Sequence, residues 1–348
     1  MERLSVALRF RLSVILRKLA SVTVLARTVD DSRPEDAFLA EAQQYRRELL
    51  AHCYRMTGSL HDAEDLVQET FLRAWKSYKG FEGKSSVRTW LYRIATNTSL
   101  TALEGRARRP LPSGLGAPSA DPVDDIHARA EVPWLQPLPD DADDPSSIVG
   151  SRESVRLAFV AALQHLSPRQ RAVLVLREVL QWRAAEVADA IGTSTAAVNS
   201  LLQRARAQLD AIGPTENDEL RPPESPEAQE LLTRYIAAFE SYDIDKLVDL
   251  FTADAVWEMP PFDGWYQGPR DIVLLSKTHC PAEGPGDMRF TRVTANGQPA
   301  AALYMLNRET GAHEAFQLHV LDVTADGISH VVAFHTETFA PFGLADSL

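Results

Sequence analysis

DAEDLVQETFLRAW at 62–75, WLYRIATN at 90–97 and AAEVADAIGTSTAAVNSLLQRAR at 184–206 are the stretches whose reading decides the fold. In the first, Ala63, Leu66, Val67, Phe71, Ala74 and Tyr78 recur at three- and four-residue spacing, so one face of a helix is core. Asp62, Asp65, Gln68 and Glu69 fall on another face, which is either solvated or reserved for a partner. In the second, Trp90, Ile94 and Asn97 sit at i, i+4 and i+7 with Tyr92 and Arg93 between them, and Lys84, Arg88, Arg106, Arg108 and Arg109 nearby. Aromatics among cations suit strand separation: a planar side chain caps a base stack or receives an unstacked base, and cations hold phosphates. Stacking is worth about 1–3 kcal/mol per base, close to the cost of unstacking one. Leu91 and Ile94 read as core, whereas Trp90 reads equally as core or as a residue acting on the surface.

The third stretch reads as a helix-turn-helix. Ser167 and Pro168 mark the start of a preceding helix, with Val173, Leu174, Leu176 and Val179 as its apolar face. Gly192 separates a helix around 184–191 from one opening near Thr193 to Thr195, and Ala188, Gly192 and Val198 occupy the crossing. The second helix offers Thr195, Asn199, Ser200, Gln203, Arg204 and Arg206 to a major groove. There Asn or Gln pairs with adenine, and Arg pairs with guanine or binds phosphate.

Taken together, in this order and at this spacing, the segments resemble regions two and four of a group-four, extracytoplasmic-function sigma factor of the sigma-70 family, over roughly 34–109 and 150–212. The resemblance implies transcription initiation as the function, with the RNA polymerase core and promoter DNA as partners. It implies that Asp62, Asp65, Gln68 and Glu69 face the clamp helices of the largest polymerase subunit. It puts Lys84, Arg88, Trp90, Arg93 and Asn97 at the minus-ten element and the helix from Thr195 at the minus-thirty-five element. The family's recognition helix often carries two further basic residues where this chain has Asn199 and Leu201, so the minus-thirty-five sequence stays open. Every cation missing there leaves one phosphate unneutralised and lowers the salt dependence by about one unit of slope.

Charge is sorted along the chain. Residues 1–212 carry 28 basic and 26 acidic side chains and the remainder 8 and 22, so the net charge of -12 belongs to the C-terminal part. From Arg73 to Arg109 nine Lys/Arg face two acids, the footprint of a phosphate-binding surface. The following stretch, 110–149, is an acidic linker in which Pro110, Pro112, Pro118, Pro122, Pro133, Pro137, Pro139 and Pro145 exclude regular elements. A second break at 213–227 again combines Gly, Pro and acids. The N-terminal 1–33 is basic and apolar, but Arg9, Arg11, Arg17 and Lys18 interrupt every apolar run, so it reads as a disordered extension and not as a membrane span. Two cysteines without ligand spacing encode neither a disulfide framework nor a zinc site, so no metal, no cofactor and a cytoplasmic setting are expected.

Residues 228–345 form a third unit. An amphipathic helix with Leu231, Leu232, Tyr235, Ile236 and Phe239 precedes AVWEMPPF at 255–262, which alternates like a strand. Runs near 289–294, 300–307, 315–323 and 330–339 alternate likewise. YIAAFESYDIDKLVDLFTADAVWEMPPF followed by GPRDI resembles the SnoaL-like cone of polyketide cyclases and ketosteroid isomerases, helices against a curved antiparallel sheet. The expected architecture is therefore multidomain: two all-α sigma domains, the second a helix-turn-helix, an acidic Pro-rich flexible linker between them, and an α+β SnoaL-like cone. Trp257, Met259, Phe262, Trp265, Tyr266, His319 and His335 are candidates to line a cavity for a small apolar ligand. Glu258, Asp263 and His319 could supply a general base, but turnover needs one beside an oxyanion donor, and the reading is that the chain is not an enzyme. The cone's acidity suggests regulation in cis, a negative body competing with DNA beside a positive face. Two other readings stay open. A ligand-responsive helix-turn-helix regulator would have no use for the 62–75 and 90–97 stretches, and a cyclase or isomerase fused to a regulatory region would leave the front half unexplained.

Overall fold

The computed structural model describes residues 34–119, 121–140, 154–212, 220–336 and 338–348. Expectations for 1–33, 141–153 and 213–219 lie outside the described residues. The chain runs α1 (Pro34–Gln43), α2 (Arg46–Thr57), α3 (Leu60–Ser77), α4 (Val87–Ala102), α5 (Leu157–Gln164) and α6 (Pro168–Leu174), the last prolonged by a π turn. It continues with α7 (Ala184–Ala190), α8 (Thr195–Ile212) and α9 (Pro226–Glu240). The final unit adds β1 (Phe251–Glu258), β2 (Trp265–Gln267), α10 (Pro269–His279), β3 (Met288–Ala295), β4 (Gln298–Leu306), β5 (His313–Val323) and β6 (Ile328–His335).

Local chemistry sets the helix starts. Ser59, Ser86 and Ser225 accept from Asp62, Thr89 and Ala228 backbone N–H groups, and Ser167 forms a capping box with Gln170 ahead of Pro168. Gly58 ends α2 in the left-handed region at φ 68°, and a Cβ there would meet the Leu135 side chain at 2.7 Å. That position thus needs glycine twice over, for conformation and for the close approach of the linker.

The sheet order is β2-β1-β6-β5-β4-β3. All neighbours are antiparallel except β1 and β6, which pair in parallel, so the sheet is mixed and not purely antiparallel as expected. Strand alternation could not reveal this, because side-chain period is the same in both pairings.

The sheet is buried on both faces. Ala301, Leu303, Leu321, Val331 and Ala333 belong to the cone's own core with α9 and α10. The alternating residues Ala300, Ala302, Tyr304, Leu318, Val320, Val332 and Phe334 belong instead to one cluster that also holds Leu49, Tyr54, Leu66, Leu91, Leu163, Val173 and Val198 of helices α2 to α8. The two helical units and the outer face of the sheet therefore share one hydrophobic core. Removing that apolar surface from water favours the assembly by about 25 cal/mol per Å².

The linker also departs from expectation. Its described part packs on the rest of the chain: Leu111, Leu135 and Leu138 are buried. Residues 113–119 and 127–129 are hydrogen-bonded along the β1–β2 side of the cone. Ser119 and Arg129 donate backbone N–H to the Trp265 and Pro261 carbonyls at 2.8 Å each, and Asp263 donates to the His127 carbonyl at 3.2 Å. The Trp265 indole N–H donates to the Gly116 carbonyl at 2.9 Å. Proline does exclude regular structure here, but backbone groups outside helices and strands still need partners, and the cone supplies them.

Candidate functional site

On α3 the four polar candidates separate. Asp65 and Gln68 are exposed, and Glu69 pairs with Arg73 at 2.6 Å along the same surface. Asp62 turns inward, about a fifth exposed, and accepts from Arg106 and Arg109 at 2.9 Å each, so it ties the end of the first helical unit back onto α3. Leu72 and Trp75 stand exposed on α3, continuing the Asp65–Gln68 stripe at helical spacing. Sequence reasoning missed both. The available signal was a tryptophan and a leucine falling off the core stripe of Ala63, Leu66, Val67, Thr70 and Ala74.

The candidates around α4 are largely engaged. Trp90 is half-buried, stacked on Phe81 at 4.7 Å between ring centres and edge-on to Phe38 at 5.9 Å. Arg88 bridges to Glu48 at 2.5 Å and lies over the Tyr92 ring at 4.9 Å. Lys84 is exposed beside Glu82. Arg93 and Asn97 point at α7: Arg93 Nη1 meets Asp189 Oδ2 at 2.8 Å, and Asn97 Nδ2 donates to the Ala190 carbonyl at 2.8 Å.

Behind these contacts the two helical units are tied by buried cations. Arg55 of α2 donates to the Ser154 carbonyl at 3.2 Å and to Ser154 Oγ at 2.8 Å. Arg171 of α6 donates to the Met56 carbonyl and to Gln164 Oε1. Burial lowers both guanidinium groups to about 10, so each still carries its charge at neutral pH and needs these oxygens.

In the helix-turn-helix, Gly192 takes φ 64° at the turn, Ala188 and Val198 are buried at the crossing, and Ser194 Oγ accepts from the Ala197 N–H at 3.2 Å. Thr195, Asn199, Ser200, Gln203 and Arg204 are exposed along α8, with Arg204 donating to Ser200 Oγ at 2.6 Å. Arg206 is held by Glu178 at 2.5 Å. The polar residues of α8 are thus open, whereas Arg93 and Asn97 of α4 bond to α7.

The tip of the β3–β4 hairpin joins every part. Asn296 and Gly297, both at positive φ, form the two-residue turn. The buried Asn296 side chain donates to Tyr54 Oη at 2.9 Å and to the Val155 carbonyl at 2.6 Å, and accepts from the Leu138 N–H at 2.8 Å. Gly297 N–H reaches Asp140 at 2.9 Å. Asn-Gly is a common hairpin-turn pair, but its residue types do not reveal the bonds made here. A second network runs from the linker's Ser113 N–H to Glu258 Oε2 (2.7 Å), and from Glu258 Oε1 to His330 (2.7 Å). It continues through Asp322 to Gln298 and ends on the Leu157 N–H of α5. Burial opposes charge on His330, but bonds to Asp322 and Glu258 outweigh it and push the imidazole up to about 10.

Inside the cone a cavity of about 50 Å³ is lined by Trp257, Met259, His319 and His335 among others. Trp265 and Tyr266 do not reach it: Trp265 bonds the linker, and Tyr266 lines a separate depression with Asp121, Asp124, Asp125 and Asp263. Phe262 stands edge-on to His335 without lining the cavity. The three candidate bases do not converge. Glu258 is paired with His330 and Asp263 with Arg129, outside the cavity. Burial lowers His319 to about 3, and both its ring nitrogens are taken by Tyr235 and Gln317. Both cysteines are free. No helix among the described residues is long and apolar enough to cross a membrane.

Comparison with known proteins agrees with this anatomy. Family models described as Sigma-70 region 2, Sigma-70 region 4 and SnoaL-like domain match residues 42–109, 156–209 and 232–337. The chain is 68% identical over 346 residues to the ECF RNA polymerase sigma factor SigG of Mycobacterium tuberculosis, spanning 97% of this chain and 93% of that protein. It is 30% identical over 284 residues to SigJ of the same organism, spanning 80% and 81%. The crystal structure of M. tuberculosis SigJ superposes with a TM-score of 0.59 at 23% identity, covering 88% of this chain and 98% of that one, a likeness of fold.

Proposed function

This chain belongs to the extracytoplasmic-function sigma factors of RNA polymerase, which direct promoter recognition and transcription initiation, and from that premise we propose that the form described here is its closed, promoter-silent state, held by the C-terminal domain in cis. The single observation that carries this reading is the capture of Arg93 and Asn97 by Asp189 and the Ala190 carbonyl. The minus-ten and minus-thirty-five elements lie roughly 25 base pairs apart, ~85 Å at ~3.4 Å per base pair. Two units in hydrogen-bond contact cannot occupy both at once. Promoter engagement thus requires the units to part, and the linker between them must leave the cone's rim to allow it.

In this reading Asp65, Gln68 and Glu69 meet the polymerase clamp with Leu72 and Trp75 as apolar anchors, and Asp62 serves the chain's own architecture. Lys84, Trp90, Arg93 and Asn97 act on the melted minus-ten strand, while Arg88 positions α4 through Glu48 and Tyr92. Thr195, Asn199, Ser200, Gln203 and Arg204 read the minus-thirty-five duplex, and Arg206 joins them once freed from Glu178. A sigma factor works by binding and not by turnover, and the SnoaL-like domain is read the same way, because Glu258, Asp263 and His319 serve structural bonds in three different places.

The test is run-off transcription with core polymerase, comparing the full chain with a form ending at residue 212. Promoter output and polymerase affinity should both change on truncation, and distance labels on α3 and α8 should move apart when core and promoter are added. Unchanged output with unchanged label separation would end the closed-state reading.

A further inference from the structure

The exposed face of α3 follows a single period. His61, Asp65, Gln68, Leu72 and Trp75 are all exposed and stand four, three, four and three residues apart. A repeat of about 3.5 residues is the seam along which two helices pack side by side. At about 1.5 Å per residue the seam is about 21 Å long. Leu72 and Trp75 lie at one end and His61 at the other, and beyond His61 the stripe does not stop at solvent.

His61, with Leu60 and Glu64, forms one wall of a cleft of about 630 Å³. The linker supplies a second wall with Pro133, Trp134 and Pro137. The cone and the tail after β6 supply a third with Pro260, Pro261, Pro341 and Phe342. The cleft is therefore built from three parts of the chain at once, and its size falls within the range, about 300–1,000 Å³, of sites that enclose a bound group.

The chemistry of the walls selects how a partner binds. Five lining residues are prolines, which have no N–H. Elsewhere in the linker and cone walls the amides of Trp134, Leu135, Gln136, His335, Thr336 and Phe342 already donate to carbonyls of this chain. An extended peptide thus finds no row of free donors there among the described residues, and strand addition is excluded. A helix arrives with its own backbone satisfied and presents side chains only. Trp134 and Phe342 are half-buried and, with the prolines, accept apolar groups. Arg109, the lining arginine, is held by Asp62 and the Trp134 carbonyl, whereas Glu64 in the wall and Asp65 beside it favour a cation at the approach.

We infer that this cleft is a second polymerase-contact surface, which takes the end of the same largest-subunit helix that lies along α3. That helix is apolar opposite Leu72 and Trp75, carries a cation opposite Glu64 and Asp65, and closes with a bulky apolar side chain against the Trp134 and Phe342 rings. The inference rests on the reading of α3 as the polymerase face and adds the linker and the cone to that interface. Core polymerase accordingly joins the closed chain, before the promoter parts its units.

The experiment irradiates purified core polymerase with the full-length chain carrying photoreactive benzoylphenylalanine in place of Leu72 or of Pro341, both exposed. Both positions should crosslink to the largest subunit, and the mapped peptides should lie on one helix with the Pro341 adduct at its end. Pro341→Trp, which fills the cleft with a ring, should weaken core binding about tenfold in fluorescence polarisation. A Leu72 adduct without a Pro341 adduct overturns the cleft and leaves the α3 reading standing, whereas adducts from neither position overturn both. A Pro341 adduct to another subunit, to residues 1–33 of this chain or to a second copy also overturns the cleft as a polymerase site. Native affinity in a Pro341→Trp chain whose thermal melt matches the native one does the same.

Discussion

Replacing Asn296 at the β3–β4 hairpin tip by Gly should loosen the closed assembly at this junction while leaving the helices and strands on either side folded. The native side chain makes three buried hydrogen bonds, to Tyr54 Oη, to the Val155 carbonyl and from the Leu138 N–H, linking the cone to α2, to the approach to α5 and to the linker. Glycine tolerates the positive φ of 58°, so the substitution removes bonds without adding backbone strain. At about 1 kcal/mol net per bond, and with the Leu138 N–H and Val155 carbonyl left buried, the loss comes to about 3–4 kcal/mol. That is roughly a 10²- to 10³-fold rise in the opening equilibrium. Native-state hydrogen exchange reads it directly, since the amides of Leu138 and Gly297 are protected only by this junction. Their exchange should accelerate by two to three decades, while amides in the middle of α3 and β5 keep native rates. Asn296→Ala should open the junction further, because left-handed backbone costs Ala about 1 kcal/mol more. If Leu138 exchanges at the native rate in Asn296→Gly, the hairpin tip is not the staple described here.

Three further outcomes follow from the same geometry. Asp65→Ala should weaken core polymerase binding about tenfold in fluorescence polarisation with stability within ~0.5 kcal/mol, while Asp62→Ala should do the reverse, costing ~1–2 kcal/mol in a thermal melt by freeing Arg106 and Arg109; matching profiles would refute the division of roles. Trp90→Ala should cost about 2–3 kcal/mol through lost stacking on Phe81 and Phe38, whereas Trp90→Phe should melt almost normally, so a loss of permanganate reactivity at the minus-ten element in that variant would report on DNA. His330 carries a raised folded pKa of about 10 against about 6.5 unfolded, so its contribution is full below pH 6.5 and disappears as pH rises through 10. With the ring about a fifth exposed, that contribution is on the order of 2 kcal/mol. The stability gap between native protein and His330→Gln should therefore narrow between pH 7 and pH 10 in urea titrations, and a constant gap would show that the imidazole is not charged there.

Much of the molecule was legible from local patterns. The spacing of Ala63, Leu66 and Val67, the Ser167–Pro168 start, the Gly192 turn and the alternation of 300–307 and 315–323 each announce an element, because helix and strand periods are written residue by residue. Other features were not. The parallel pairing of β1 with β6 leaves no trace in alternation. Asp62 looks on a helical wheel like Asp65, and only the return of Arg106 and Arg109 from the end of the same unit separates them. Trp265 and Tyr266 read as cavity residues because aromatics in a strand normally face a core; Tyr266 does so without reaching the cavity, and Trp265 bonds the linker instead. The linker read as flexible since its prolines forbid helix and strand, and irregular backbone was equated with free backbone.

By itself the sequence determined what kind of protein this is. A sigma factor's binding surfaces are short helical segments whose residue types and spacing carry their chemistry, and these survive in one dimension. The tertiary structure alone decided which of these side chains contact the rest of the chain. Whether Arg93 and Asn97 meet DNA or the chain's own α7 and whether Asn296 is merely a turn depend on groups far away along the chain. Such pairings arise from burial of the outer sheet face against the sigma helices, a long-range packing outcome that no local period encodes.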